Sequence, residues 1–215
     1  MQIVAVASPS GLSRTTLYSV GHSTHSLAEF LTLLGMHDVE VIVDVRSVPA
    51  SQRFPQFNRN TLAAELPLRG KKYLFLGGEL GGRPSDPEMY DSDGYVLYDR
   101  LARTRAFEEG LARICDGART YRIALLCSEE DPAACHRHIL IGRVLVDRGV
   151  DVLHIRRDGT IQPASTMTKP TEAHQMTLFS EPPRAGLWRS PKPLWRVPDE
   201  RLFDWVHSEE RAPVF

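Results

Sequence analysis

The sequence predicts an α/β protein with a single open, mostly parallel sheet flanked by helices, followed by a proline-rich C-terminal tail. Three observations carry this prediction. Short runs at Leu17–Val20, Val39–Val45, Lys72–Leu76, Ile123–Leu126 and Val150–Ile155 have the length and composition of strands, several apolar enough to be buried on both faces. Segments of helical periodicity stand between them, which is the pattern of βαβ units whose strands pair in parallel through right-handed crossovers. From about Gln162 the pattern stops, and eight of the fifteen prolines and all three tryptophans lie beyond that point.

Each element has a local reason. After the first strand and the turn Gly21-His-Ser-Thr24, a helix is expected over Leu27–Leu34, with Leu27, Phe30, Leu31 and Leu34 on one face. Ser26 followed by Glu29 makes a capping box, and Gly35 is the expected stop. The second strand carries Glu40 and Asp44 among β-branched residues and leads into Ser47–Asn58, where two prolines exclude regular structure. A short helix over Arg59–Leu66 and the third strand come next, and then a glycine-dense loop from Gly77 to about Gly94. One or two helices over Leu97–Cys115 bring Leu101, Phe107, Leu111 and Ile114 to the core. The fourth strand is followed by a helix with Asp131 as N-cap, Pro132 at its first position and an end near Gly149. The fifth strand closes a domain over residues 1–161, Rossmann-like or flavodoxin-like in character. Residues 162–215 form a tail wrapped over the domain, with no strand before Pro198 and a short helix around Asp199–His207.

The chain has 215 residues, 42% hydrophobic and 25% charged, with a net charge of -1. That balance offers no global attraction for nucleic acid, so any such binding needs a local patch. No apolar run reaches the ~20 residues that span a bilayer, and no secretory leader is read at the N-terminus. Three cysteines, an odd number, do not make a secreted disulfide framework. A cytoplasmic protein is expected, with no membrane partner.

Residues capable of chemistry gather where strands end and helices begin, the edge at which open α/β sheets bind ligands. Cys135 sits beside His136 and Arg137 at an expected helix N-terminus, where the dipole and cations lower a thiol pKa. It reads as a nucleophile, a ligand or a small core residue. Cys127, Cys135 and His136 could ligate zinc, but a fourth ligand is not apparent and the spacing matches no common zinc module, so no cofactor is expected. One of Glu129 and Glu130 is a candidate acid or base. Asp44, two places from Arg46 on the same strand face, reads either as half of a structural ion pair or as a catalytic carboxylate. His22 and Ser23 reach the same edge, and Arg46, Arg53 and Arg59 interleaved with Phe54 and Phe57 form a basic–aromatic cluster suited to phosphates and bases.

With these residues in place, the chain resembles the domain-of-unknown-function 488 family of prokaryotic proteins. The resemblance runs through Gly21-His-Ser-Thr24, Val43-Asp-Val-Arg46 with Pro49, Ser51, Arg53 and Pro55-Gln-Phe-Asn58, then Leu80-Gly-Gly-Arg83, and last Leu126-Cys-Ser-Glu129 with Pro132 and Cys135-His-Arg137. It covers about residues 16–155 and implies a small α/β domain with a shared polar site, not a reaction. On it rests a candidate site with His22, Asp44, Glu129, Cys135 and His136 in catalysis and Ser23, Arg46, Arg53, Phe57, Asn58, Arg83 and Arg137 in substrate binding.

In the tail, Gln175-Met-Thr-Leu-Phe179 looks like the peptide by which bacterial replication and repair proteins dock on the sliding clamp, with Gln175, Leu178 and Phe179 as its anchors. The same side chains would otherwise pin the tail to the domain. The expected function is processing of nucleic acid or nucleotides in DNA repair or maintenance, through hydrolytic (glycosylase-like) or lyase acid–base chemistry at a sugar or phosphate. The alternatives are a redox or sulfur-transfer enzyme using Cys135 and Cys127, and a non-enzymatic nucleotide-binding module tethered to a partner.

Overall fold

A computed structural model describes residues 15–167 and 188–194. Its strands are β1 (Thr16–Gly21), β2 (Val41–Asp44), β3 (Lys72–Phe75), β4 (Ile123–Cys127), β5 (Asp151–Ile155) and β6 (Ile161–Pro163), ordered β3-β2-β4-β1-β5-β6 in one open sheet. The first five are parallel, as the βαβ pattern requires, and β6 alone is antiparallel, paired with β5. β4 lies between β2 and β1 with all five residues buried, which accounts for its wholly apolar start.

Alternation along the strands divides the interior into two cores. Leu17, Val41, Val43, Ile123 and Leu125 pack with Leu80, Phe107, Leu111, Ile114 and Leu145 on one face. Val20, Ile42, Ala124 and Leu126 pack with Phe30, Leu34, Leu62 and Leu66 on the other. Right-handed crossovers explain the division: the chain moves one way along the sheet from β1 to β3 and the opposite way from β3 to β5, so the intervening helices fall on opposite faces.

Helix α1 (Leu27–Met36) starts with the expected capping box, Glu29 N–H donating to Ser26 Oγ at 3.2 Å and Ser26 N–H to Glu29 Oε2 at 2.7 Å. It runs past Gly35. The reversal is made instead by Asp38 at φ 50°, a residue type that tolerates the left-handed region. Helix α2 (Arg59–Glu65) follows the proline-rich loop as expected. The glycine-dense stretch is not wholly irregular, because Gly77–Leu80 form a helical turn, α3, drawn in by the fully buried Leu80. Helices α4 (Tyr98–Leu101) and α5 (Arg105–Gly117) occupy the next segment.

The tail departs from expectation at its start. Gln162 and Pro163 belong to β6, where proline is tolerated because an edge strand leaves one side unpaired. Residues 188–194 lie on the domain. Ser190 exchanges bonds with Val96 through its backbone N–H (2.9 Å) and its hydroxyl (3.0 Å), and the Trp188 indole donates to Ile139 O at 2.9 Å. The clamp-like peptide Gln175–Phe179 and the helix expected at Asp199–His207 lie outside the described residues. Among the described residues no helix is long and apolar enough to cross a membrane.

A buried polar chain ties the sheet together. Ser19 Oγ on β1 lies 2.6 Å from His154 Nδ1 on β5, and His154 Nε2 lies 3.0 Å from His138 Nδ1. Burial, and then neighbouring His138, lower the pKa of His154 from 6.5 to about 3. The folded-state value lies below the unfolded one, so protonation favours unfolding. The stability contributed by the neutral ring is complete above about pH 6.5 and is lost as the pH falls toward 3. At about 1.4 kcal/mol per unit this amounts to a few kcal/mol. The urea midpoint should therefore fall steadily as the pH is lowered from neutrality to about 4, and His154→Asn should flatten that fall. An unchanged slope in the variant would place the acid sensitivity elsewhere.

Candidate active site

The end of β2 is organised by charge. Asp44 is fully buried and accepts four hydrogen bonds: from the Arg46 backbone N–H (3.1 Å), Arg46 Nε (2.8 Å), Arg46 Nη2 (2.6 Å) and the Tyr73 hydroxyl (2.8 Å). That fills the acceptor capacity of a carboxylate. Arg46 Nη2 also donates to Phe57 O at 2.7 Å, which holds the proline-rich loop against the strand end. Burial, and then the adjacent Asp44 charge, raise the Tyr73 pKa, so its phenol stays a neutral donor. Of the two readings open for Asp44, this geometry favours the structural ion pair.

The exit of β4 supplies the reactive groups. Cys127 ends the strand, and Asp131 caps only a single 3-10 turn, Pro132–Ala134. The backbone is extended again at Cys135 (φ −127°, ψ 140°), and the helix proper starts afterwards as a π-helical stretch, Arg137–Gly142, that runs into α6 (Arg143–Asp147). Cys135 therefore precedes the helix rather than lying in its first turn, and its carbonyl accepts from the N–H groups of His138 and Ile139. π-helical segments are frequent at functional sites.

Here the thiols, an imidazole and a carboxylate meet. Cys127 Sγ is 3.2 Å from Glu129 Oε2 and 3.6 Å from His136 Nδ1, which lies 3.9 Å from Cys135 Sγ. His136 Nε2 is 2.9 Å from Val45 O, and since a carbonyl only accepts, Nε2 carries a proton and Nδ1 is the nitrogen that faces the sulfurs. Burial alone would raise the Cys135 thiol. Hydrogen bonding to Cys127 and His136 and the Arg137 charge outweigh it and hold Cys135 well below the ordinary thiol value. Cys127 moves the opposite way, raised by its bond to Cys135 and by burial. Cys135 is thus the more acidic thiol of the pair. The donor atoms of Cys127, Cys135 and His136 all lie within 4.8 Å of one another, so the same groups could hold a metal.

These residues line a cavity of about 290 Å³. Arg46, Tyr98 and both thiols make its buried part, while Arg83 and Lys192 are exposed members of its lining. Close backbone approach makes the shape possible. A Cβ on Gly82 would stand 2.7 Å from the His136 ring, and one on Gly21 would overlap the Glu129 carbonyl at 1.8 Å.

The structure thus brings Arg46, Arg83, Glu129, Cys135 and His136 together, with Cys127. The other expected site residues lie elsewhere on or behind that edge. His22 stacks on the buried Phe57 with ring centroids 4.4 Å apart, and burial followed by the Arg46 charge lowers its pKa to about 4, leaving it neutral at pH 7. Ser23 is held by Ser128 O at 2.9 Å, and Asn58 Oδ1 accepts from Ser51 N–H at 2.6 Å. Arg53 is exposed over the Phe54 ring. Fully buried Arg137 donates to the carbonyls of Glu129 and Glu130, so it shapes the loop. Glu130 is paired with Arg156 at 2.8 Å, which leaves Glu129 as the cavity carboxylate. Sequence reasoning missed Ser47, Tyr98 and Lys192. Ser47 could have been found from its place beside Arg46, but nothing local distinguishes Tyr98 or Lys192.

The sequence model of a family described as domain of unknown function DUF488 matches residues 26–145. No curated protein and no solved structure matches the chain.

The ion pair generates a direct test. Asp44→Asn keeps the shape but leaves the Arg46 cation buried without its counter-ion. Breaking a buried pair in this way costs roughly 3–5 kcal/mol. The loss should appear as a lower denaturant midpoint, and a variant as stable as the wild type would contradict a structural role.

Proposed function

The chain belongs to the domain-of-unknown-function DUF488 family, and on that premise we propose that it is an enzyme performing hydrolytic or lyase chemistry on a nucleotide-sized anionic substrate. The observation that carries the reading is the gathering of Glu129, His136 and two thiols in one cavity that Arg83 and Lys192 also line. A carboxylate beside a strand end and within reach of a bound ligand is suited to proton transfer, and two exposed cations are suited to holding an anionic group. A volume near 290 Å³ suits one nucleotide or sugar phosphate. A nucleic-acid strand would have to present a single unstacked residue to it. The placement in DNA repair or maintenance is supported by the clamp-like peptide Gln175–Phe179, read from sequence alone.

A second reading has its own observation. The lowered Cys135 thiol beside Cys127 supports a cysteine-dependent redox or sulfur-transfer enzyme, with Cys135 as nucleophile and Cys127 as the resolving thiol.

A panel of nucleotides, nucleosides and single-stranded DNA carrying altered bases tests the first reading. Turnover should fall by roughly 10²–10⁴ in Glu129→Gln, the scale of a lost general acid or base, with an unchanged melting curve. Rapid alkylation of Cys135 at neutral pH in the folded protein, together with thiol-disulfide exchange activity that survives Glu129→Gln, would instead establish the cysteine reading. A protein that binds nucleotides, turns none of them over and catalyses no thiol-disulfide exchange would sink both.

A further inference from the structure

We propose that Cys127, Cys135 and His136 are the three protein ligands of a zinc-class divalent cation, with the fourth coordination position open to the cavity beside Glu129. The inference deepens the hydrolytic reading and rests on it for its catalytic consequence. Metal binding itself stands or falls separately.

The distances fit the ion. Zinc takes thiolate at about 2.3 Å and imidazole at about 2.0–2.1 Å in tetrahedral sites, which places a nitrogen and a sulfur ligand about 3.6 Å apart. His136 Nδ1 lies 3.6 Å from Cys127 Sγ and 3.9 Å from Cys135 Sγ, and all three donor atoms fall within 4.8 Å of one another. The imidazole is oriented for the task. Its Nε2–H donates to Val45 O, which leaves Nδ1 as the nitrogen facing the sulfurs, the outer-shell arrangement usual for a metal-ligating histidine. The thiols are equally well held. Cys127 ends β4 paired with Gly21 of β1, its carbonyl accepting from His22 N–H, and Cys135 N–H donates to Pro132 O while its carbonyl receives two amides. Both are free cysteines.

The missing fourth protein ligand, which argues against a structural zinc, is what a catalytic one requires: three ligands and a position for water or substrate. All three side chains line the cavity, so that position faces the substrate space, and Glu129 Oε2, 3.2 Å from Cys127 Sγ, is adjacent to it. In this assignment the thiols are ligands, and the carboxylate remains the group that moves protons.

The test uses the full chain, zinc or cobalt(II) chloride as probe, and a thiol-free reductant. Purified protein should bind one zinc per chain after dialysis, and cobalt should give thiolate-to-metal charge-transfer absorption with the strong visible bands of tetrahedral coordination. Cys127→Ser, Cys135→Ser and His136→Ala should each weaken binding at least tenfold, and Glu129→Gln should retain it. Should those variants fail to fold, the wild type still decides: one equivalent of zinc should shield Cys127 and Cys135 from maleimide while Cys115 stays as reactive as before. Absence of shielding, or a cobalt spectrum lacking the thiolate band, overturns the site. Loss of metal in Glu129→Gln overturns the open fourth position. Binding without turnover on any substrate would leave the metal site standing and remove the hydrolytic reading, whereas turnover undiminished in fully metal-free protein would remove the catalytic role of the metal.

Discussion

The site depends first on the buried pair of Asp44 and Arg46. A carboxylate with no exposure to solvent is tolerable only if its charge and lone pairs are answered, and here Arg46 and Tyr73 answer all of them. The pair does more than neutralise a charge. By folding back on Asp44 and reaching Phe57 O, Arg46 sets where the chain leaves β2. That exit presents the Val45 carbonyl, which in turn orients His136. One ion pair at the end of one strand thus determines which nitrogen of an imidazole faces the thiols.

The second constraint is the broken path after β4. An uninterrupted helix from Pro132 would carry Cys135 around its axis with the residues on either side. Instead a 3-10 turn, an extended residue and a π-helical stretch succeed one another, so that Cys135 and His136 both face the cavity. The irregular path needs support, and Arg137 supplies it by binding the carbonyls of the two residues that end the preceding loop. Arginine is suited to this because its planar fork offers several donors in fixed directions. A residue that looks from sequence like a substrate contact is thereby consumed in holding the loop beside the cavity.

Packing at the carboxyl edge leaves little freedom elsewhere. Gly21 and Gly82 allow backbone to lie against the Glu129 carbonyl and the His136 ring, and residues 188–194 close over Val96 and Ile139, bringing Lys192 to the cavity. His22, next to the same edge, is stacked on Phe57 and kept neutral by burial, outside the lining of the cavity.

What the sequence determined by itself was set by local periodicity. The parallel strands, the Ser26–Glu29 capping box, the division into helices over Arg59–Leu66 and Leu97–Cys115, and the edge at which Cys127, Glu129, Cys135 and His136 gather all derive from hydrophobic patterns and cap chemistry spanning a few residues. Even the Asp44–Arg46 partnership was visible, because period-two alternation puts both on one face. Only the tertiary structure decided the strand order, the antiparallel β6 and the side chains that complete the cavity from afar. Tyr98 and Lys192 reach it through contacts across the fold, and Ser19, His138 and His154, far apart in the chain, meet because β1 and β5 are neighbours. Pairing of this kind depends on which surfaces are brought together, and no short stretch of sequence records that. The division of labour among Asp44, Arg137 and Glu129 was decided in the same way, since a charged residue's role depends on whether its partners are backbone, counter-ion or open cavity.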